Sequence, residues 1–136
     1  MQLSEIKQIK NLVDGDWREA VESITMQEDD FEIDKYRFIR QDKIDGIQQE
    51  ELSYEPYLLG CFNAWFLADV LNIDMDVIES MQKADAYEAL GKLVLSLDKL
   101  EDLQEQYVSA DGYGHHFSHY DFSEDEIGDY YIFRVN

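Results

Sequence analysis

Positive charge is what this sequence has least of. Its 136 residues hold 11 Lys+Arg against 31 Asp+Glu, a formal net charge of −20. That shortage disfavours direct binding to DNA, RNA or anionic lipid, which all need a basic face. It also argues against a divalent-metal nuclease, which must grip a polyanion as well as a metal. There is one cysteine, Cys61, so no internal disulfide can form and nothing calls for an oxidising compartment. One proline and seven glycines leave no Pro- or Gly-rich linker, and no low-complexity stretch or internal repeat is evident. No segment approaches the roughly 20 apolar residues of a membrane span. Met1 to Lys10 is amphipathic and lacks the apolar core of a signal peptide. A cytoplasmic location is expected.

What is present argues for a folded body. The apolar fraction is 45% and the aromatic fraction 13%, whereas a disordered acidic tail lacks aromatics. At this length one domain spanning 1–136 is expected. The charge is uneven: residues 1–43 hold 7 basic and 11 acidic side chains, and residues 44–136 hold 4 and 20. Such self-repulsion costs folding free energy, so a use for the charge is worth seeking.

Apolar spacing predicts a mainly helical α+β fold with a small C-terminal β-hairpin. Leu3, Ile6 and Val13 suit one short helix, broken at Asp14-Gly15. Asp16 can cap a second that carries Trp17, Ala20, Val21 and Ile24. Phe31 to Ile39 alternates as extended chain. Asp42 to Leu52 is helical, and Pro56 suits the first turn of the next helix. Tyr57 to Leu71 is apolar nearly all round, which predicts one central buried helix with Cys61 inside it. Asn63 within it would need a hydrogen-bond partner. Asp74 looks like an N-cap, with Ile73 and Ile78 placed as a hydrophobic staple. Asp85 to Gln106 reads as one long helix with Gly91 as its weak point. Phe117–Phe122 and Tyr130–Val135, around Ser123 to Gly128, suggest the terminal hairpin.

Several residue groups could carry chemistry. Asp98, Glu101, Asp102 and Glu105 follow i, i+3, i+4, i+7 spacing and would form one acidic stripe on a helix. Neighbours on such a stripe lie about 5–6 Å apart, close to the spacing of phosphates along a strand. Glu124, Asp125 and Glu126 form a second acidic patch, set among tyrosines. An ordinary solvated face explains either group taken alone. His115, His116 and His119 are all the histidines of the chain. His115 and His119 share a face on a helix or a strand, and Asp121 could add a carboxylate; this is a weaker alternative, because the spacing matches no specific metal motif. Ser118, His119 and Asp121 are triad residue types, but triad members converge from separate elements, and no GxSxG or HExxH occurs. No cofactor and no catalytic group is expected.

The stretch Tyr57-Leu58-Leu59-Gly60-Cys61-Phe62-Asn63-Ala64-Trp65-Phe66, with Asp111-Gly112-Tyr113-Gly114-His115-His116 and the closing Tyr130-Tyr131-Ile132-Phe133-Arg134, resembles small uncharacterised proteins of phages and plasmids. In size and charge the chain also resembles the DNA-mimic anti-restriction and anti-CRISPR inhibitors as a class. That second resemblance is one of property, without a shared motif, and transfers no functional residue. It implies a non-enzymatic inhibitor that occludes the DNA or RNA surface of a basic nucleic-acid-binding protein. Three rivals remain: an immunity protein or antitoxin for a basic toxin, a metal-dependent enzyme centred on the histidines, and an acidic housekeeping domain of a high-salt organism, against which the many Ile, Tyr and Lys residues count.

Overall fold

The computed structural model describes Met1–Asn136. The protein is α+β and mainly helical. In chain order it runs α1 (Leu3–Leu12), α2 (Trp17–Thr25), β1 (Asp30–Ile33), β2 (Tyr36–Arg40), α3 (Ile44–Ser53), α4 (Pro56–Gly60), α5 (Ala64–Leu71), α6 (Met75–Lys83), α7 (Tyr87–Ser96), α8 (Leu100–Asp111), α9 (Gly114–Phe117), β3 (Asp125–Ile127) and β4 (Tyr130–Arg134). Two compact units result, one of Met1–Ile44 with Asp111–Asn136 and one of Asp45–Ala110. No helix is long and apolar enough to cross a membrane.

The first unit is built on a four-stranded antiparallel sheet of order β1-β2-β4-β3. Ile9, Val13 and Ala20 of α1 and α2 pack with Ile33, Phe38, Ile127 and Ile132 of the strands. Phe117 of α9 lies 5.1 Å from Phe133, which points to the other face because side chains alternate along β4. Gly15, at φ +93°, makes the expected break between α1 and α2. Asp16 occupies the N-cap position of α2, but its side chain makes no cap hydrogen bond.

The terminal hairpin forms with different arms from those expected. The partner of β4 is Asp125–Ile127, while Gly114–Phe117 coils into α9. A two-residue turn, Gly128-Asp129, joins the strands, with Gly128 at φ +57°.

A short repeat emerges that sequence spacing alone does not reveal. Glu32-Ile33 and Tyr36, followed by Phe38-Ile39-Arg40, match Glu126-Ile127 and Tyr130, followed by Ile132-Phe133-Arg134. Both hairpins turn over two residues, after Ile33 and after Ile127, and Asp34 repeats the positive φ of Gly128. The central pairing sets Phe38 opposite Ile132, Tyr36 opposite Arg134 and Arg40 opposite Tyr130. The sheet is therefore two copies of one hairpin related by a local two-fold axis. The likeness is faint in sequence, because only the Glu, the turn-flanking Ile and Tyr, and the final Arg are identical.

The second unit is all helical. Its core gathers Leu52, Leu59, Leu67, Ile78, Leu90, Val94, Leu103 and Tyr107. Here two sequence expectations are corrected. The expected helix Tyr57–Leu71 is two helices, α4 and α5, separated at Cys61–Asn63, and Cys61 is exposed. Asn63 is the N-cap residue of α5, with extended backbone, and its carbonyl accepts from the Leu67 N–H. The break is held by Gln82, whose amide donates to the carbonyls of Gly60 (3.0 Å) and Phe62 (2.8 Å). The expected long helix Asp85–Gln106 also divides, at Leu97–Lys99, while Gly91 stays inside α7.

A common turn explains that division. The Lys99 N–H donates to the Val94 carbonyl and the Asp98 N–H to the Leu95 carbonyl, with Asp98 at φ +56°. This is a Schellman turn, which takes up the carbonyls left over at a helix end. Asn72 after α5 and Asp85 after α6 repeat it, at φ +54° and +58°. Asp74 then caps α6, as expected, accepting from the Asp76 N–H at 2.9 Å. Ile78 lies in the core, and Ile73, half-buried, packs against that cluster.

Helices α4 and α7 are the most intimate pair. A Cβ on Gly91 would lie 1.6 Å from the Pro56 carbonyl oxygen, and one on Gly60 would lie 1.9 Å from that of Tyr87. Position 56 meets 91 and 60 meets 87, so the helices run antiparallel, backbone against backbone.

Candidate functional site

The acidic surface is the feature with the most to explain. In the helical unit 14 carboxylates face three lysines. Two ion pairs stand among them: Lys92 to Glu88 at 3.5 Å and Lys99 to Asp102 at 3.6 Å. Both are i,i+4 or i,i+3 surface contacts of the kind that contribute a fraction of a kcal/mol. The charge is therefore largely uncompensated.

The expected stripe is only partly a helical stripe. Glu101, Asp102 and Glu105 are exposed on α8, the first two in its opening turn, where carboxylates are favoured by the helix dipole. Asp98 is exposed too, but it stands in the Schellman turn before the helix and does not share its spacing. The reason is the left-handed backbone at Asp98, a conformation Asp tolerates better than most residues. On α3, Asp45 accepts from the Gln104 amide at 2.9 Å, and Gln104 also donates to Gln48 and accepts from Gln49. That amide cluster ties α3 to α8.

The second expected patch, Glu124, Asp125 and Glu126, is divided in both role and direction. Glu124 accepts from the N–H groups of Tyr113 (3.0 Å) and Gly114 (3.3 Å), so it secures the start of α9. Gly112 makes room for it: at φ +75° a Cβ there would lie 2.6 Å from the Glu124 oxygen. Asp125 and Glu126 are consecutive on β3, so they point to opposite faces of the sheet, and both are exposed.

The histidines have structural neighbours. His115 stacks on Phe122 at 5.1 Å, and His116 sits edge-on to Phe117 at 4.6 Å. His119 lies beyond the end of α9, and its backbone N–H donates to the Arg134 carbonyl. No group of three or more His, Cys, Asp or Glu side chains is arranged to hold a metal ion, so His115, His119 and Asp121 do not form the ligand set considered above. Ser118 is 2% exposed, and its hydroxyl meets the Asp121 carboxylate (3.4 Å) and the Arg134 carbonyl (3.3 Å). Asp121 is held below the usual carboxylate range chiefly by hydrogen bonds from Ser123, with Ser118 and Arg134 adding to the effect. A carboxylate fixed in this way organises a turn.

The structure also exposes aromatic side chains where the sequence pattern predicts burial. Tyr54, Tyr57, Leu58 and Trp65 are open to solvent, although the all-round apolar pattern of 57–71 implied a buried helix. Tyr57 leans toward Tyr87, with ring centroids 5.5 Å apart. The Tyr57 phenol is pushed above its ordinary value, first by Cys61 beside it, then by partial desolvation, Tyr87 and Asp85. Comparison with protein-family models, curated proteins and solved structures finds no match.

Proposed function

We propose that the protein is a non-enzymatic acidic inhibitor. It binds a basic nucleic-acid-handling protein in the cytoplasm and covers its DNA- or RNA-binding surface. One observation carries the reading: a net charge of −20 on 136 residues, with most carboxylates exposed. Carboxylates spread over a folded body stand in for phosphates, steer association and meet Arg and Lys across the interface. Glu101, Asp102 and Glu105 offer a ready surface, and Asp98, Asp125 and Glu126 contribute further exposed charge. Glu124 contributes less, because its carboxylate already serves α9.

The test is retention of proteins from a bacterial lysate on the immobilised chain at low salt, followed by stepwise salt elution. The reading expects a discrete DNA- or RNA-binding protein, released at moderate salt. Retention of none would contradict it.

A further inference from the structure

Arg40 and Arg134 end the two related hairpins and repeat each other's contacts. Arg40 donates to the Asp42 carboxylate at 3.1 Å, and Arg134 donates to the Asn136 carbonyl at 2.9 Å, two positions on in each case. The next N–H, of Gln41 or Val135, donates to the second turn residue of the other hairpin, Asp129 or Lys35. Each arginine stands opposite the other hairpin's tyrosine, on the sheet face that packs against α1 and α2.

The halves differ in what lies against the guanidinium. Arg134 lies over the Tyr120 ring, 3.9 Å from its centroid. The offset that relates Arg40 to Arg134 sets Met26 in the place of Tyr120, and Met26 brings no ring. Arg40 instead lines a cavity of about 250 Å³.

We propose that this cavity binds a planar nitrogen heterocycle stacked on Arg40 and presenting two adjacent N–H donors, the donor pattern of a guanine base without phosphate. The inference goes beyond the inhibitor reading and does not depend on it.

The walls choose the ligand. The related half of the molecule already stacks an arginine on a flat ring, and guanidinium planes stack on bases in the same way. Tyr130, 2% exposed, and Ile24 supply an apolar wall. The charge of Arg40 is met by Asp42 at 3.1 Å and Asp29 at 3.9 Å. Glu5 and Asp129 line the same cavity as acceptors. Glu5 sits over the turn of the second hairpin, where a Cβ on Gly128 would be 3.3 Å from its oxygen. A carboxylate accepts two parallel N–H bonds but donates none, so it selects a donor–donor edge. A bare ammonium would satisfy the carboxylates and leave the Arg40 plane unused. A phosphate would meet both carboxylates and a chain of −20.

The probes are guanosine, inosine and adenosine, titrated into the isotope-labelled full chain and followed by NMR at the Thr25, Arg40 and Asp129 amides. Guanosine should bind about tenfold tighter than inosine, which lacks the second donor. Adenosine should be weaker again, and guanosine monophosphate weaker than guanosine. Glu5→Gln combined with Asp129→Asn should abolish the lead of guanosine over inosine. Thr25→Phe, which fills the cavity from an exposed position, should weaken all three nucleosides by about tenfold or more. Equal binding of the three nucleosides, saturable shifts elsewhere in the chain, or no saturable shift overturns the proposal. N-acetyltyrosinamide binding at these amides as tightly as guanosine would assign the cavity to a partner's aromatic side chain, and this too overturns it. The inhibitor reading stands in every one of these cases.

Discussion

Two helical glycines should respond to alanine with opposite signs. Gly91 lies inside α7, and a Cβ there would be 1.6 Å from the Pro56 carbonyl oxygen, 2.4 Å from its carbon and 2.8 Å from its Cα. All three are backbone atoms, so no side chain can swing aside. Restoring an ordinary 3.4 Å contact to that oxygen requires α4 and α7 to part by roughly 1.8 Å. That opens space beside Leu59, Leu90 and Val94, all fully buried. Overpacking of this kind costs about 1–3 kcal/mol or more. Helix propensity returns only about 1 kcal/mol. Packing is also weakened where the helices part. Gly91→Ala should therefore destabilise by at least about 2 kcal/mol, lowering Tm by roughly 5–10 °C at this chain length. Gly46, in α3, has nothing within 4 Å of the point where a Cβ would stand. Gly46→Ala should instead stabilise by about 0.5–1 kcal/mol. Urea and thermal unfolding of both variants read the difference. If Gly91→Ala were as stable as the parent, the close crossing of α4 and α7 would be wrong, and with it the support beneath Tyr57.

Other outcomes follow from the same structure. Asp98→Gly and Asp85→Gly relieve a left-handed backbone and remove a negative charge, so each should stabilise by about 1 kcal/mol in denaturant titration; a fall in stability would mean the carboxylate contributes more than the backbone costs. Sodium chloride should raise Tm by screening the self-repulsion of a −20 chain, and a flat response between low and moderate salt would mean that the repulsion costs little. Tyr130 donates to the Glu28 carbonyl at 2.5 Å, and burial pushes its phenol above the ordinary value of 10.0. The folded state thus favours the protonated form: this contribution is intact below the ordinary value of 10.0 and is lost as pH rises through the folded value. Tyr130→Phe should lose about 1 kcal/mol at neutral pH and show a shallower alkaline decline in stability. Glu124→Ala frees the Tyr113 and Gly114 N–H groups and should cost about 1–2 kcal/mol, with faster amide exchange at both positions.

Much of the fold is legible where local signals are strong. Periodicity places α1, α2, α3 and α6, Pro56 marks the start of α4, and Asp74 caps α6 as its residue type suggests. The two helix breaks are less legible because tertiary contacts and a disfavoured backbone conformation make them. At Cys61–Asn63 the freed carbonyls are answered by Gln82, far along the chain. At Leu97–Lys99 the left-handed residue is Asp98, where a glycine would have announced the turn. The terminal hairpin is legible in β4 but not in its partner, since Phe117 to Phe122 carries the aromatic alternation while Asp125–Ile127 does the pairing. The charge that motivates the functional reading is legible without any structure. Which carboxylates are already engaged is not: Glu124 and Asp45 look like their neighbours until their hydrogen bonds are seen. The exposed rings hide in a pattern that reads as core, because apolarity on all sides marks burial only when the helix is continuous.

The most direct measurement is competition for a partner's nucleic acid. A DNA- or RNA-binding protein retained by the immobilised chain is loaded with labelled nucleic acid and titrated with the free chain at several salt concentrations. The account predicts stoichiometric displacement of the nucleic acid that weakens steeply as salt rises. Formation of a ternary complex, with the nucleic acid still bound, would contradict it.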